Sequence, residues 1–364
     1  MKNIILFGGA FDPIHNGHIN MAEKASEQLS ADVFFIPARI SVWKSDSAPV
    51  EDKIKMIELA CSESPFKAKF HISRFEADSK DDVNYTIDTV KHFKELYPDA
   101  TLYLLIGTDQ VNSFHKWKSA DEIANLAQII FFNRPDLDLN QSNIERFKMQ
   151  EIKGEMIDVS STDIRELKSL DVPDSVLHYL LHHHLYFIYK IKKYMCEDRF
   201  NHTLSVTDLS FDIARANKIK NIDKVVVSAL LHDIGKEMPI DEQKKIMVEL
   251  YPEYLNLHPV IYHQFISAYL AEKDFGIQDK DILDAIKYHT TANSNMSDTA
   301  IIVYCADKIE PTRGFDSTDL IKAMKCSIRN GFVEVLKSNI EYYEKHKIDY
   351  KNKLQMACLD QYLK

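Results

Sequence analysis

No two of the five cysteines (Cys61, Cys196, Cys305, Cys326 and Cys358) stand in a CxxC pair, and their number is odd. Spacing therefore points to neither a disulfide framework nor a zinc knuckle, and reduced thiols in a cytoplasmic protein are expected. No stretch approaches the roughly 18 consecutive apolar residues of a membrane span, and the apolar run near the N-terminus is too short for a secretory signal. An excess of basic residues is also missing. The formal net charge of -10 argues against a surface that wraps nucleic acid, but it leaves room for a local basic pocket. There is no Pro-, Gly- or Ser-rich linker and no internal repeat. What remains is a 364-residue chain, 45% hydrophobic, long enough for two domains that each bury a core.

The first half alternates between two periodicities. NIILFG, DVFFIP, FKAKFHISRFE, TLYLLIG and QIIFFN read as strands. Between them, INMAEKASEQL, VEDKIKMIELACSES and YTIDTVKHFKELYP read as helices, and SADEIANL reads as a helix opened by a Ser119–Glu122 capping box. EMIDVS leads into a short helix, STDIREL. Such alternation predicts an α/β doubly wound parallel sheet, with ligands beyond the carboxyl ends of its strands. From about Phe187 onward the pattern is helical, from HTLSVTDLSFDIARAN to DTAIIVYCADKIE and beyond, which predicts an all-α domain. The expected division is 1–186 and 187–364. The His182–His184 run beside it has no i, i+4 spacing and reads as a solvated helix end.

One string in the first half is poor core material. GGAFDPIHNGH (Gly8–His18) sets glycines, a proline and two histidines behind a buried strand. Gly8 and Gly9 lack a Cβ, so backbone amides there can approach a phosphate closely. Pro13 stiffens the turn, and Gly17 lets the chain enter the next helix. His15 and His18 lie about one turn apart near the positive end of that helix. Two imidazoles beside exposed amides make a pocket for a triphosphate.

The string resembles the nucleotidyltransferase superfamily, whose HxGH element is shared with class I aminoacyl-tRNA synthetases. Three later strings narrow the resemblance to bacterial nicotinate-mononucleotide adenylyltransferases. VNYTIDTV (Val83–Val90) is similar to their SYTxDT segment, IGTDQVNSFHKWKSADEI (Ile106–Ile123) to GxDxxxxFxxW, and VSSTDIR (Val159–Arg165) to ISSTxIR. The tail VPDSVLHYLLHHHLY fits that family's end, so the resemblance covers residues 1 to about 186 and implies a Rossmann-like fold. It also implies transfer of AMP from ATP, carried with Mg²⁺, to nicotinate mononucleotide. By resemblance the ATP pocket holds Gly8, Gly9, Ala10, Phe11, His15, His18, Gly107, Asp109, Ser160, Ser161, Thr162 and Arg165. The acceptor pocket holds Lys44, Thr86, Asp109, Trp117 and Arg134, and His15, His18, Lys44 and Arg165 carry the chemistry. Asn84 stands where serine is frequent, SKDDV replaces a basic loop, and Lys44 lies in SVWKSD. Nicotinamide mononucleotide and phosphopantetheine stay open as acceptors.

A second constellation lies in the helical half. ALLHDIGKE (Ala229–Glu237) ends an apolar helix in adjacent His232 and Asp233. His202 sits on a preceding helix, His263 opens another and His289 closes KDILDAIKYH. Asp307 lies inside an apolar run, where an unpaired carboxylate would cost several kcal/mol. Four imidazoles and two carboxylates on helices suit a pair of iron ions, with manganese as the alternative and zinc less favoured without thiolates. LLHDIGKE, DILDAIKYHT and YCADKIEPTRGF (Tyr304–Phe315) together resemble the HD phosphohydrolase superfamily, in the branch that splits diadenosine tetraphosphate symmetrically into two ADP. That resemblance covers about residues 190 to 345. It implies Lys236 and Arg313 as neutralisers of polyphosphate charge. TANSNM departs from the family's usual glycine after HT. A different nucleotide phosphatase and a non-catalytic nucleotide sensor remain alternatives for this half. The expected partners are ATP, nicotinate mononucleotide and diadenosine tetraphosphate, with no nucleic acid or membrane, and a homo-oligomer stays open.

Overall fold

The computed structural model describes residues 2–39, 47–80, 83–133 and 138–364. The sequence-predicted site residues Lys44 and Arg134 lie outside the described residues. The chain divides into two compact units, Met1–Arg165 with Ser169–Tyr186, and Glu166–Lys168 with Phe187–Lys364. Each has its own apolar core, one around Ile4, Leu104 and Ile129, the other around Ala229, Ile302 and Phe332.

The first unit runs β1 (Asn3–Gly9), α1 (Asn16–Leu29), β2 (Asp32–Pro37), α2 (Val50–Glu63), β3 (Phe70–Ile72), α3 (Thr86–Leu96), β4 (Thr101–Ile106), α4 (Thr108–Ser113), α5 (Ala120–Leu126), β5 (Gln128–Phe131), α6 (Gln141–Arg146), β6 (Gln150–Glu151), α7 (Ser161–Arg165) and α8 (Asp174–His182). Among the described residues the six strands form one sheet in the order β3-β2-β1-β4-β5-β6, with every pairing parallel. The order reverses between β1 and β4. There neighbouring strands send their connections to opposite faces and leave a crevice at their carboxyl ends. β1 ends in Gly8–Gly9 and β4 is followed by Gly107, so both glycine positions fall at that crevice.

Three local expectations change. FKAKFHISRFE is a strand only over Phe70–Ile72, because Lys67–Lys69 winds into a 3₁₀ turn and just three residues pair with β2. Ser119 does not cap α5. Its φ of 57° is left-handed, and its side chain makes no cap bond, whereas a capping serine needs extended backbone. β6, two residues long, is too short to leave a periodic trace in the sequence. His182 and His183 are exposed at the end of α8.

The second unit is helical among the described residues: α9 (Phe187–Lys192), α10 (Glu197–Ala216), α11 (Ile222–Leu231), α12 (Ile240–Leu250), α13 (His263–Phe275), α14 (Lys280–Lys287), α15 (Asp298–Ile309), α16 (Thr318–Cys326), α17 (Ile328–His346) and α18 (Lys353–Tyr362). α10, α11, α13, α14 and α15 pack together and supply the candidate site. Among the described residues no helix is long and apolar enough to cross a membrane.

Candidate functional site

In the first unit a cavity of about 310 Å³ opens at the crevice, lined by Gly8, Gly9, Ala10, Phe11, His15, His18, Gly107, Asp109, Ser160 and Ser161 among others. A Cβ on Gly8 or Gly107 would meet nothing within 4 Å, so the backbone there is open to a ligand. Gly17 has a different purpose. A Cβ there would lie 3.0 Å from the His15 ring and from Val159, displacing the histidine.

The two histidines cap α1 reciprocally. The His18 backbone N–H donates to His15 Nδ1 at 3.4 Å, and the His15 N–H donates to His18 Nδ1 at 3.3 Å. The rings stack with centroids 3.6 Å apart. Since each Nδ1 accepts, the neutral rings carry their proton on Nε2, which makes each a donor suited to phosphate oxygen.

Around this turn the structure places a network that sequence reasoning missed. Asp12 is buried, and its Oδ1 accepts from the Ala48 N–H at 3.0 Å and from Tyr186 Oη at 2.7 Å. Lys53, fully buried, donates to the Ala38 carbonyl at 2.8 Å; burial pushes its pKa down, against the pull of Asp12. Arg165 donates to the Asp12 carbonyl and, at 2.9 Å, to Thr162 Oγ1. Ser161 Oγ donates to the Pro13 carbonyl at 2.9 Å, and Ser160 Oγ bonds Asp163. Thus Arg165 and Thr162 brace the GGAFDP turn beside the cavity, and the serine hydroxyls are engaged in the scaffold.

A second cavity of about 240 Å³ shares Gly8, Gly9, Ala10 and Gln110 with the first and is lined by Thr86 and Trp117. Asp109, expected in both pockets, lines only the first. Trp117 is half-buried and packs against Phe114, so it serves core and cavity together. Glu76, absent from the sequence reading, also faces this second space. Burial raises its carboxyl pKa, outweighing the 2.7 Å bond from Thr89 Oγ1.

In the second unit all six expected ligands converge. Ligand atoms of His202, His232 and Asp233 lie within 4.8 Å of one another, as do those of Asp233, His263 and His289. Asp233 belongs to both groups. Asp307 Oδ1 stands 3.1 Å from His202 Nε2 and 3.8 Å from His232 Nε2. The folding logic is local: α11 ends at Leu231, so His232 and Asp233 escape the helix side by side, and His263 is the first residue of α13.

Three backbone carbonyls and one carboxylate orient the imidazoles through Nδ1. His232, His263 and His289 each donate Nδ1–H to the carbonyl three residues earlier, at 2.7, 2.8 and 2.7 Å. His202 donates instead to Glu310 Oε1 at 2.9 Å. The Nε2 atoms of His232, His263 and His289 therefore face the centre as lone pairs, while His202 Nε2 lies against Asp307 Oδ1. His263 and His289 bring theirs within 3.2 Å of each other, and Thr290 Oγ1 lies 3.0 Å from both. His232 Nε2 and Asp233 Oδ1 are buried with no hydrogen-bond partner. Converging lone pairs and orphaned buried acceptors fit cations and little else.

The charges agree. Burial depresses the pKa of His232 to about 4, despite Asp233, and holds His263 well below the usual range. Burial opposes ionisation of Asp233, but His232, His289 and His263 outweigh it and keep the carboxyl far below its ordinary value. Asp307 is held down likewise, by Lys308, His202 and Arg313 against burial. His202 is raised, since its bonds to Asp307 and Glu310 exceed the cost of burial.

Lys236 Nζ sits 3.1 Å from His263 Nε2, and Arg313 donates to Asp307 Oδ1 at 2.6 Å, so Arg313 holds Asp307 in place as well as adding charge. Arg199 was missed; it bonds Asp233 Oδ2 at 2.8 Å. Its place one turn before His202 on α10 was the available signal.

Residues 6–167 match the family model for cytidylyltransferase-like proteins, and residues 199–312 match the HD domain. A Mycoplasma genitalium protein, "Probable nicotinate-nucleotide adenylyltransferase/Ap4A hydrolase", is 31% identical over 92% of this chain and 97% of its own length. A Mycoplasma pneumoniae protein of the same description is 28% identical over 92% of this chain and 98% of its own. A Clostridium botulinum "Probable nicotinate-nucleotide adenylyltransferase" is 35% identical and is covered whole by 51% of this chain.

Proposed function

This chain belongs to the family of two-part nicotinate-nucleotide adenylyltransferase/Ap4A hydrolases, and we propose how its residues divide the two reactions. The protein is bifunctional: it transfers AMP from ATP to nicotinate mononucleotide, and it hydrolyses Ap4A. Residues 1–186 carry the first activity and 187–364 the second.

In the transferase, the nicotinate mononucleotide phosphate attacks the α-phosphorus of ATP and pyrophosphate leaves. Neither step needs a protein nucleophile, so the work is alignment and charge absorption. The observation that supports this reading is the pair of cavities meeting at Gly8–Ala10, one for each nucleotide. His15 and His18 donate Nε2–H to the triphosphate, beside the backbone of Gly8, Gly9 and Gly107. Arg165, with Thr162, braces the turn and lends charge to the β- and γ-phosphates. Asp109 accepts from the ribose or adenine of ATP. Trp117 stacks on the pyridine ring and Thr86 donates to its carboxylate; Lys44 and Arg134 are assigned to the acceptor's charge on resemblance alone. Mg²⁺ carried with ATP would offset charge on the phosphates.

In the hydrolase, His202, His232, Asp233 and Asp307 would hold one ion, and Asp233, His263 and His289 would hold the other. Imidazole and carboxylate donors without thiolate suit iron or manganese. The ions, when bound, supply Lewis acidity and lower the pKa of a water. Arg199, Lys236 and Arg313 neutralise the polyphosphate, and burial of the cluster excludes bulk water. The five free cysteines and the nucleotide substrates suit a cytoplasmic setting.

Two assays on the purified full chain test the reading. Mixing ATP with nicotinate or nicotinamide mononucleotide should yield pyrophosphate faster with nicotinate. Ap4A should give two ADP. Preference for nicotinamide, or release of AMP and ATP from Ap4A, would overturn the respective half.

A further inference from the structure

The four imidazoles of the helical site are alike except in what stands behind them. His232, His263 and His289 are oriented by neutral carbonyls of their own chain segment. Only His202, of these four, is backed by a carboxylate, that of Glu310 at 2.9 Å. Glu310 is 1% exposed. Its Oε1 also accepts from Thr312 Oγ1 at 2.7 Å, and its Oε2 accepts from Ser205 Oγ at 2.7 Å and the Thr312 N–H at 2.6 Å. Four donors fix this carboxylate from two segments, α10 and the turn at Pro311–Arg313. Capping that turn requires only the bond to the Thr312 N–H. The bonds from His202 and Ser205 are more than a cap needs.

Building on the two-ion reading of the site, we propose that Glu310 is a positioning residue that makes His202 the strongest imidazole donor, so that the ion at His202, His232 and Asp233 is held more tightly than the ion at Asp233, His263 and His289. An anionic acceptor on Nδ1–H pushes electron density toward Nε2 more than a carbonyl does, and it locks the ring's orientation. Asp233 is common to both groups, and Asp307 stands beside the first as a fourth donor, through oxygen. Asp307 adjoins the His202 group but already bonds Lys308 and Arg313, so it adds less than its position suggests. Glu310 adds to that difference, and it is the part that a charge-removing variant isolates.

The test is a Mn²⁺ titration of the metal-stripped full chain, with free Mn²⁺ read by electron paramagnetic resonance. The wild type should bind two ions with unequal affinity. Glu310→Gln keeps an oxygen that can accept from Nδ1 but loses the charge; it should weaken the tight ion about 10- to 100-fold and leave the loose one unchanged. Ser205→Ala, which removes a single donor to Glu310, should shift the tight ion in the same direction by less, and it decides the matter if Glu310→Gln does not fold. A residue that only capped the turn would lower the melting temperature without moving the tight affinity. Equal affinities in the wild type, or unaltered tight binding in both variants, would overturn the proposal while leaving the two-ion reading intact. No Mn²⁺ bound to the wild type would overturn both.

Discussion

Gly235 is the position where the geometry makes its sharpest demand. It follows His232–Asp233 by two residues and lies against the first turn of α13, which begins at His263. A Cβ built on it would fall 2.7 Å from the Ser267 backbone nitrogen, 2.9 Å from Ile266 Cγ2 and 3.0 Å from the Ile266 carbonyl carbon. Ordinary contact begins near 3.4 Å, so in Gly235→Ala the two backbones must part by about 0.7 Å. Overpacking of this kind costs about 1–3 kcal/mol. The buried bond from the Gly235 N–H to Ser267 Oγ, 3.0 Å long, would stretch as well, worth about 1 kcal/mol. Together these predict a fall of about 5–15 °C in the melting temperature of the helical unit. The functional cost is separate. The same displacement carries His263 away from Asp233, now 3.4 Å apart across the space for one ion. A misplacement approaching 1 Å costs up to about 100-fold in rate, so Ap4A hydrolysis should drop 10- to 100-fold while adenylyl transfer is unchanged. Calorimetry and the two activity assays on one preparation measure all three quantities. Hydrolysis within twofold of wild type and an unshifted transition would refute the reasoning, since it would mean that α13 can yield without moving its ligand.

Gly331→Ala is the contrasting case: its Cβ would lie 2.6 Å from Met324 Cα, between α16 and α17, which carry none of the six ligands. It should lower the melting temperature by several degrees while Mn²⁺ affinity, measured at 10 °C, stays at the wild-type value. His18→Ala removes one phosphate donor and one cap bond; pyrophosphate release should slow about 10²–10³-fold, with Ap4A hydrolysis as the unaffected control. Glu76→Gln probes pH. The folded carboxyl holds its proton to higher pH than the unfolded one, so the folded state loses stability as pH rises above 4.5. The variant should therefore melt higher than wild type at pH 7.5, with the gain shrinking toward pH 4.5; a gain independent of pH would contradict the assignment. Dialysis against a chelator should abolish Ap4A hydrolysis, and Mn²⁺ or Fe²⁺ should restore it, whereas Mg²⁺ alone should suffice for adenylyl transfer.

Much of both sites was legible because their residues break local rules. Two glycines and two histidines at the end of a buried strand, or a His-Asp pair at the end of an apolar helix, waste packing unless chemistry needs them. What stayed hidden follows the rules it was read by. Lys53 in VEDKIKMIEL has the spacing of a solvated helix position, yet the end of β2 folds over it and consumes its ammonium. Tyr186 reads as one aromatic among 17 tyrosines, and only the three-dimensional return of the chain brings its hydroxyl to Asp12, 174 residues away. Glu76 lies between a truncated strand and a helix, with no periodicity to show that it faces inward. Ser119 shows the converse: a good capping string failed because its backbone is left-handed, a property that the surrounding chain imposes.

In the proposed assignment the two halves use the same side chain for opposite charges, and the backbone makes the choice. In α1, backbone N–H groups donate to Nδ1 of His15 and His18; the proton is displaced to Nε2, and the rings become donors for an anion. In the helical unit, carbonyls accept from Nδ1 of His232, His263 and His289; the lone pair is displaced to Nε2, and the rings become donors for a cation. The difference is where each histidine meets its helix. At a helix start the unsatisfied backbone groups are N–H, and His15 and His18 accept from them. His232 follows the last turn of α11, where the unsatisfied groups are carbonyls, and it donates to one; His289, just beyond α14, does the same. His263 opens α13 yet reaches back to the Val260 carbonyl in the preceding 3₁₀ turn, so the direction of the bond, more than the helix end as such, sets the tautomer. An imidazole's recognition of phosphate or metal is thereby encoded in which backbone group lies three residues away.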